Sequence, residues 1–199
     1  MKVFLYLSLL PIFLFSQENK VIREVYVIEN SSVRLIGNSN VTGYSCNLID
    51  LSNNDNVPIK SLRKGTLIEM DNAVVDLKAK GFNCDNKAMT KDFLNAIKSE
   101  VYPNIKIEFL SYQLNSKVED SPNQKKIKAN IIISLAGVER TFVIFLESIH
   151  FKMDEFTIAG RKKVTMTDFN VVPPTALLGM VKVEDAIEFK FDITFKLLY

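Results

Sequence analysis

Ile187-Glu188-Phe189-Lys190-Phe191-Asp192-Ile193-Thr194-Phe195-Lys196-Leu197 alternates apolar and polar side chains without a break. Successive residues of an extended chain point to opposite faces, so this stretch is a strand that buries Ile187, Phe189, Phe191, Ile193, Phe195 and Leu197 and leaves Glu188, Lys190, Asp192, Thr194 and Lys196 in water. A sheet with one wet face is an antiparallel one. The same period recurs upstream: Ile127, Ala129, Ile131, Ile133 and Leu135 alternate with Lys128, Asn130 and Ser134, and Ile105, Ile107 and Phe109 alternate with Lys106 and Glu108. Ala136-Gly137-Val138-Glu139-Arg140 then leads into Thr141-Phe142-Val143-Ile144-Phe145-Leu146, which reads as a hairpin. Further strands are predicted at 22–28, 33–36, 66–78 and 162–169, whereas 142–156 is apolar on both faces and its register stays open.

One segment has a different period. Met89, Phe93, Ala96, Ile97 and Val101 recur at helical spacing between Asp85-Asn86 and Pro103. This predicts an amphipathic helix, capped by the Thr90 hydroxyl, with Asp92 in its first turn and Pro103 as its stop. The stretches 53–58 and 115–126 read as loops. Neither is long enough to separate domains, and no internal repeat divides the chain. The residues therefore predict a single all-β domain with one main helix, built as a barrel or a sandwich.

Composition narrows the function. Of 199 residues 47% are hydrophobic, and 25 Lys and Arg face 23 Asp and Glu. A net charge of +2 gives no electrostatic footprint for a nucleic acid or an anionic membrane. One His and two Cys leave little for a zinc site, and a four-ligand one could not be completed without a carboxylate. His150, in Ser148-Ile149-His150-Phe151, reads as a strand histidine rather than a general base. No nucleophile elbow or phosphate loop accompanies it, since 37–43 lacks the lysine of a P-loop.

The first sixteen residues stand apart from the domain. Lys2 precedes an uncharged apolar run, 3–15, that ends at Ser16 and gives way to Gln17-Glu18-Asn19-Lys20. The run is too short to span a bilayer and Pro11 interrupts it, so residues 1–16 read as a secretory signal peptide and 17–199 as the domain. Removing the leader takes away one lysine and leaves a nearly neutral protein. The expectation is an exported chain, periplasmic or secreted, that is not an integral membrane protein. Export favours pairing of Cys46 with Cys84, with two free thiols and a redox pair as the alternatives.

Several motifs along the domain carry a family resemblance. Gly37-Asn38-Ser39-Asn40-Val41-Thr42-Gly43-Tyr44-Ser45-Cys46 resembles the opening motif of one branch of the YceI-like family. The stretch 82–98, with Cys84 and Met89-Thr90-Lys91-Asp92-Phe93, followed by Tyr102-Pro103-Asn104-Ile105, resembles that branch's cysteine, helix and return to a strand. Ala136-Gly137-Val138 and Pro173-Pro174-Thr175-Ala176-Leu177-Leu178-Gly179 match its hairpin and its loop before the last strand. The resemblance implies an elongated, lipocalin-like antiparallel β-barrel of about eight strands that holds a polyisoprenoid or similar amphiphilic chain, with binding rather than catalysis as its role and no cofactor. One departure stands out. Many members carry a His-Ser stretch where this chain has Glu29-Asn30-Ser31-Ser32-Val33, so no histidine role carries over.

A barrel of this size has room for side chains or for one small ligand. The residues expected to line an apolar tunnel are Met89, Phe93 and Ile97 on the helix, and Ile105, Ile107, Phe109, Ile131, Ile133, Phe189, Phe191 and Ile193 on inward strand rows. The basic clusters Arg161-Lys162-Lys163 and Lys60, Arg63 and Lys64 are either head-group sites at a rim or solvated turns. The leading expectation is a lipid-binding protein for a polyisoprenoid or fatty acid. Its rival is a non-catalytic structural or interaction module with a filled barrel. Oligomeric state stays open, a dimer included.

Overall fold

The computed structural model describes residues 20–27, 31–48, 51, 57–113 and 127–198. The expected leader, the predicted loop at 115–126, most of that at 53–58, and Glu29-Asn30 lie outside the described residues. The chain runs through β1 (Lys20–Val27), β2 (Ser32–Ser39), β3 (Gly43–Leu48), β4 (Val57–Lys64), β5 (Leu67–Asp71), β6 (Val74–Lys78), β7 (Phe82–Cys84), helix α1 (Lys87–Ala96), β8 (Asn104–Gln113), β9 (Ile127–Leu135), β10 (Val138–Lys152), β11 (Glu155–Thr165), a short β12 (Thr175–Ala176) and β13 (Val181–Leu198). These form one antiparallel sheet with the order β1-β4-β5-β8-β9-β10-β11-β13-β2-β3-β7.

The sheet is ring-like because β13 has partners on both edges along its length. One edge pairs with β11 from Glu155↔Lys196 to Thr165↔Ala186. The other pairs with β2 between Val183 and Asp192 and with β1 between Phe195 and Leu198. The second contact joins β1, β4, β5, β8, β9, β10, β11 and β13 into a closed circuit, while β2, β3 and β7 branch off it. The circuit is not a clean barrel. Beyond Phe145↔Arg161 the strands β10 and β11 separate, and Phe169, fully buried, packs near Phe142 at that split with ring centroids 6.2 Å apart. Lys162 bridges the split, its ammonium 5.1 Å from the Phe142 ring and donating to the Val143 carbonyl at 3.2 Å.

Local chemistry explains where the observed elements differ from those predicted. The strand expected over 66–78 breaks at Asn72, whose φ of 64° is a left-handed conformation that Asn tolerates better than most residues. The strand expected over 162–169 begins earlier, at Glu155, and ends at Thr165. Helix α1 starts before Thr90: Asn86 is the cap, its Oδ1 accepting from Met89 N at 2.9 Å. Thr90 lies inside the helix, where its hydroxyl accepts from Cys84 N at 3.0 Å. Asp92 is consequently past the first turn. Cys46 and Cys84, opposite each other on β3 and β7, are joined in a disulfide that ties the base of this helix to the sheet.

The inward rows interlock at the middle of the ring. Ile105, Ile107, Ile131, Ile133, Phe189, Phe191 and Ile193 are all buried, and Phe191 meets Phe109 edge to face at 6.1 Å. Gly160, directly opposite Phe191, leaves the space its ring occupies: a Cβ there would lie 2.8 Å from Phe191 Cζ. Valine favours strands, yet Gly160→Val is expected to destabilise the protein by about 1–3 kcal/mol through overpacking, read from the midpoint of urea unfolding. Reducing the disulfide, which closes a separation of 38 residues, is expected to cost roughly 3–4 kcal/mol on the same measurement.

Candidate functional site

Among the described residues, two cavities flank the packed middle. The larger, of about 570 Å³, lies at the end where β1 closes on β13. Its wall includes Val25, Ile68, Phe109, Ile158 and Phe195, all buried. Arg63, Ile68, Tyr112 and Ala129 sit directly opposite one another on β4, β5, β8 and β9, so their side chains share the inner face. This row sets a cation and a phenol against an apolar wall. Arg63 is exposed and its Nε donates to the Gly65 carbonyl at 3.1 Å. Burial raises the pKa of the Tyr112 hydroxyl, while the charge of Arg63 acts in the opposite direction.

Tyr112 reaches this wall through a bulge. The β8–β9 register shifts between Phe109 and Ser111, so that Phe109 faces Ile131 and Tyr112 faces Ala129. Strict alternation from Ile105, Ile107 and Phe109 would have turned Tyr112 outward. A bulge resets the period and re-aims the side chains beyond it, and no Gly or Pro in 105–113 announces it.

The smaller cavity, of about 310 Å³, lies at the other end of β13, beneath α1 and the 171–183 segment. Leu35, Cys46, Phe93, Leu135 and Ile187 contribute to its wall, and Val41, Pro174 and Val181 belong to its rim. Tyr44 lines it too, in the space left by Gly37.

The eleven expected tunnel residues therefore do not line one space. Phe109 faces the larger cavity, and Met89, Phe93 and Ile97 face the smaller. The remaining seven, Ile105, Ile107, Ile131, Ile133, Phe189, Phe191 and Ile193, form the packed layer between them. Sequence reasoning missed part of the larger cavity because seven of its eighteen lining residues come from β1, β4 and β5, where alternation is weak. Of the basic clusters, Lys60 and Lys64 pair with Asp71 at 4.0 Å and Glu69 at 2.9 Å, which leaves Arg63 at the cavity. Arg161-Lys162-Lys163 lies within β11 and not at a rim, with Arg161 paired to Glu147. His150 is exposed on β10, opposite Thr157. Among the described residues no group of three or more His, Cys, Asp or Glu is placed to hold a metal ion, and no helix is long and apolar enough to cross a membrane.

Tyr44 supplies a titration that reports on the smaller cavity. Its hydroxyl is buried without a hydrogen-bond partner; burial first, and the charge of Glu184 second, push its pKa up to about 12. The neutral phenol is the form the fold retains. Its contribution to stability is thus complete below pH 10, the ordinary value, and is lost as pH rises through about 12. Tyrosinate ultraviolet absorbance is expected to show Tyr44 ionising last, and Tyr44→Phe to remove that step.

No protein-family model matches the chain, and no curated protein sequence does. Solved structures do match. BcnA of Burkholderia cenocepacia aligns with a TM-score of 0.59 over 82% of this chain and 95% of that one, at 12% identity. A polyisoprenoid-binding domain from Saccharophagus degradans, implicated in plant cell wall breakdown, aligns with a TM-score of 0.56 over 86% and 97%, at 5% identity. A YceI protein of Campylobacter jejuni aligns more loosely, with a TM-score of 0.45 over 98% and 91%, at 14% identity. Identities this low speak to architecture alone, and on that level the antiparallel ring with its main helix has the fold of BcnA and of the polyisoprenoid-binding domain.

Proposed function

We propose that the chain is an exported, non-catalytic binding protein that holds the apolar chain of one amphiphilic lipid, such as a polyisoprenoid or fatty acid, for carriage or sequestration. The observation that carries this reading is the cavity of about 570 Å³, a volume within the range of small-molecule sites. Its wall is apolar where a chain would lie, and Arg63 and Tyr112 offer a cation and a hydroxyl where a polar head would rest. Each methylene taken from water into such a wall contributes about 0.8 kcal/mol, so a chain of ordinary length binds without any chemical step. The polyisoprenoid-binding domain that shares the fold agrees with this ligand class. A filled barrel, the rival reading, has no use for this space. Export rests on the apolar leader and accords with a disulfide beneath the helix.

The test is native mass spectrometry of protein made in an oxidising compartment, followed by extraction and lipid analysis. A bound lipid of defined mass is expected. A clean apo mass, with no uptake of an offered fatty acid or isoprenoid, overturns the reading. Ala129 is buried with its methyl against the larger cavity, and Ala129→Phe is expected to occupy part of the space and weaken uptake while the fold survives. Arg63→Leu is expected to weaken binding of a fatty-acid anion by about tenfold, the scale of one charge-assisted hydrogen bond, and to leave binding of an uncharged isoprenoid alcohol unchanged.

A further inference from the structure

Phe109 and Phe191 stand on opposite sides of the ring. Around the closed circuit, three strands separate β8 from β13 in either direction, yet the two rings meet edge to face with centroids 6.1 Å apart. Edge-to-face contact is a favoured arrangement of aromatic rings, and here it brings side chains from both walls to a meeting point in the interior. Gly160 permits the crossing, because a Cβ there would lie 2.8 Å from Phe191 Cζ and displace its ring. Buried isoleucines flank the pair: Ile131 pairs with Phe109 and Ile133 with Ile107 across β8 and β9, and Ile193 follows Phe191 on the same face of β13.

This contact is the floor of the larger cavity. Phe109 belongs to the cavity wall, whereas Phe191 behind it belongs to the wall of neither cavity, and no described residue belongs to the walls of both. The wall reaches solvent away from that floor, at Arg63 and Met153, which are exposed. A chain whose polar head rests at Arg63 therefore enters tail first and ends against the Phe109 ring. A methylene is about the size of a water molecule, roughly 30 Å³ in the liquid, so a volume of about 570 Å³ takes on the order of twenty carbons. Each carbon beyond that limit stays in water and gains no burial.

We propose, on the reading that the larger cavity holds a lipid, that the Phe109–Phe191 pair is a stop which limits the buried chain to about twenty carbons. The preferred ligand is then a fatty acid or an isoprenoid of about four five-carbon units, and not a long polyprenyl chain that would need both cavities. Closely packed side chains make the stop firm. A longer chain gains room only by displacing the two rings, which forfeits their contacts with each other and with the isoleucines around them.

Pairwise competition among straight-chain fatty acids of about 10 to 26 carbons, read by native mass spectrometry below their micelle concentrations, keeps the head group constant and varies only the apolar surface offered for burial. Affinity is expected to rise by up to about fourfold per methylene, equivalent to about 0.8 kcal/mol, and to level off near twenty carbons. Phe109→Ala is expected to move the break to chains about three carbons longer, the room its ring vacates. Phe109→Leu, which gives up less packing and serves where the alanine variant does not fold, is expected to move it the same way. Ala129→Phe, which occupies part of the same cavity, is expected to move it to shorter chains. Affinity that climbs without a break to the longest acid overturns the stop and leaves the lipid reading standing, as does a break that none of the three variants moves. Binding of no acid at any length overturns the lipid reading itself, and the stop with it.

Discussion

Pairing on both edges of β13 is the constraint on which the molecule depends. At 18 residues the strand is about three times the usual length and spans on the order of 60 Å. It passes through every region of the interior. Ile187 belongs to the smaller cavity, Phe189 to Ile193 to the packed middle, and Phe195 and Leu197 to the larger cavity. Because one edge stays with β11 from Ala186 to Lys196, the opposite edge is free to take β2 near one end and β1 near the other. That change of partner lets one sheet close a ring and send out a branch carrying the disulfide and the helix.

The same arrangement explains why the interior holds two spaces. Large side chains from facing strands fill the middle, with Phe191 lodged over Gly160 and against Phe109. Toward β1 the inward positions include Ser61, Ala73 and Ala129, too small to meet across the ring. Toward α1 the sheet forks and the helix roofs the gap. The cavities follow from side-chain volume along strands whose spacing varies little.

The architecture was legible in the sequence because several of its strands alternate cleanly, and Ile187 to Leu197 alone implies a half-buried antiparallel strand. The site was less so, for a physical reason. Clean rows of Ile and Phe mark positions where packing is tightest, so choosing tunnel residues by strength of alternation selects the layer that fills the interior. Phe109, Met89, Phe93 and Ile97 reach cavities because they sit at the ends of such rows or on the helix. Tyr112 was hidden by a bulge, and Val25, Ile59 and Ile68 by strands with mixed faces. The capping of α1 by Asn86 instead of Thr90 is a smaller example: both residue types cap helices, and only the position of the disulfide-linked β7 decides between them.

The seam that closes the ring has a kinetic meaning as well. Glu24 pairs with Leu198, so the contact that completes the circuit joins nearly the two extremes of the chain. Loop-closure entropy must be met before such a contact returns any stabilisation, and topologies of this kind fold slowly. The larger cavity has no wall on that side until the last strand finds the first. A growing or partly folded chain therefore presents an open trough of apolar residues, and the enclosed compartment is the final product of folding.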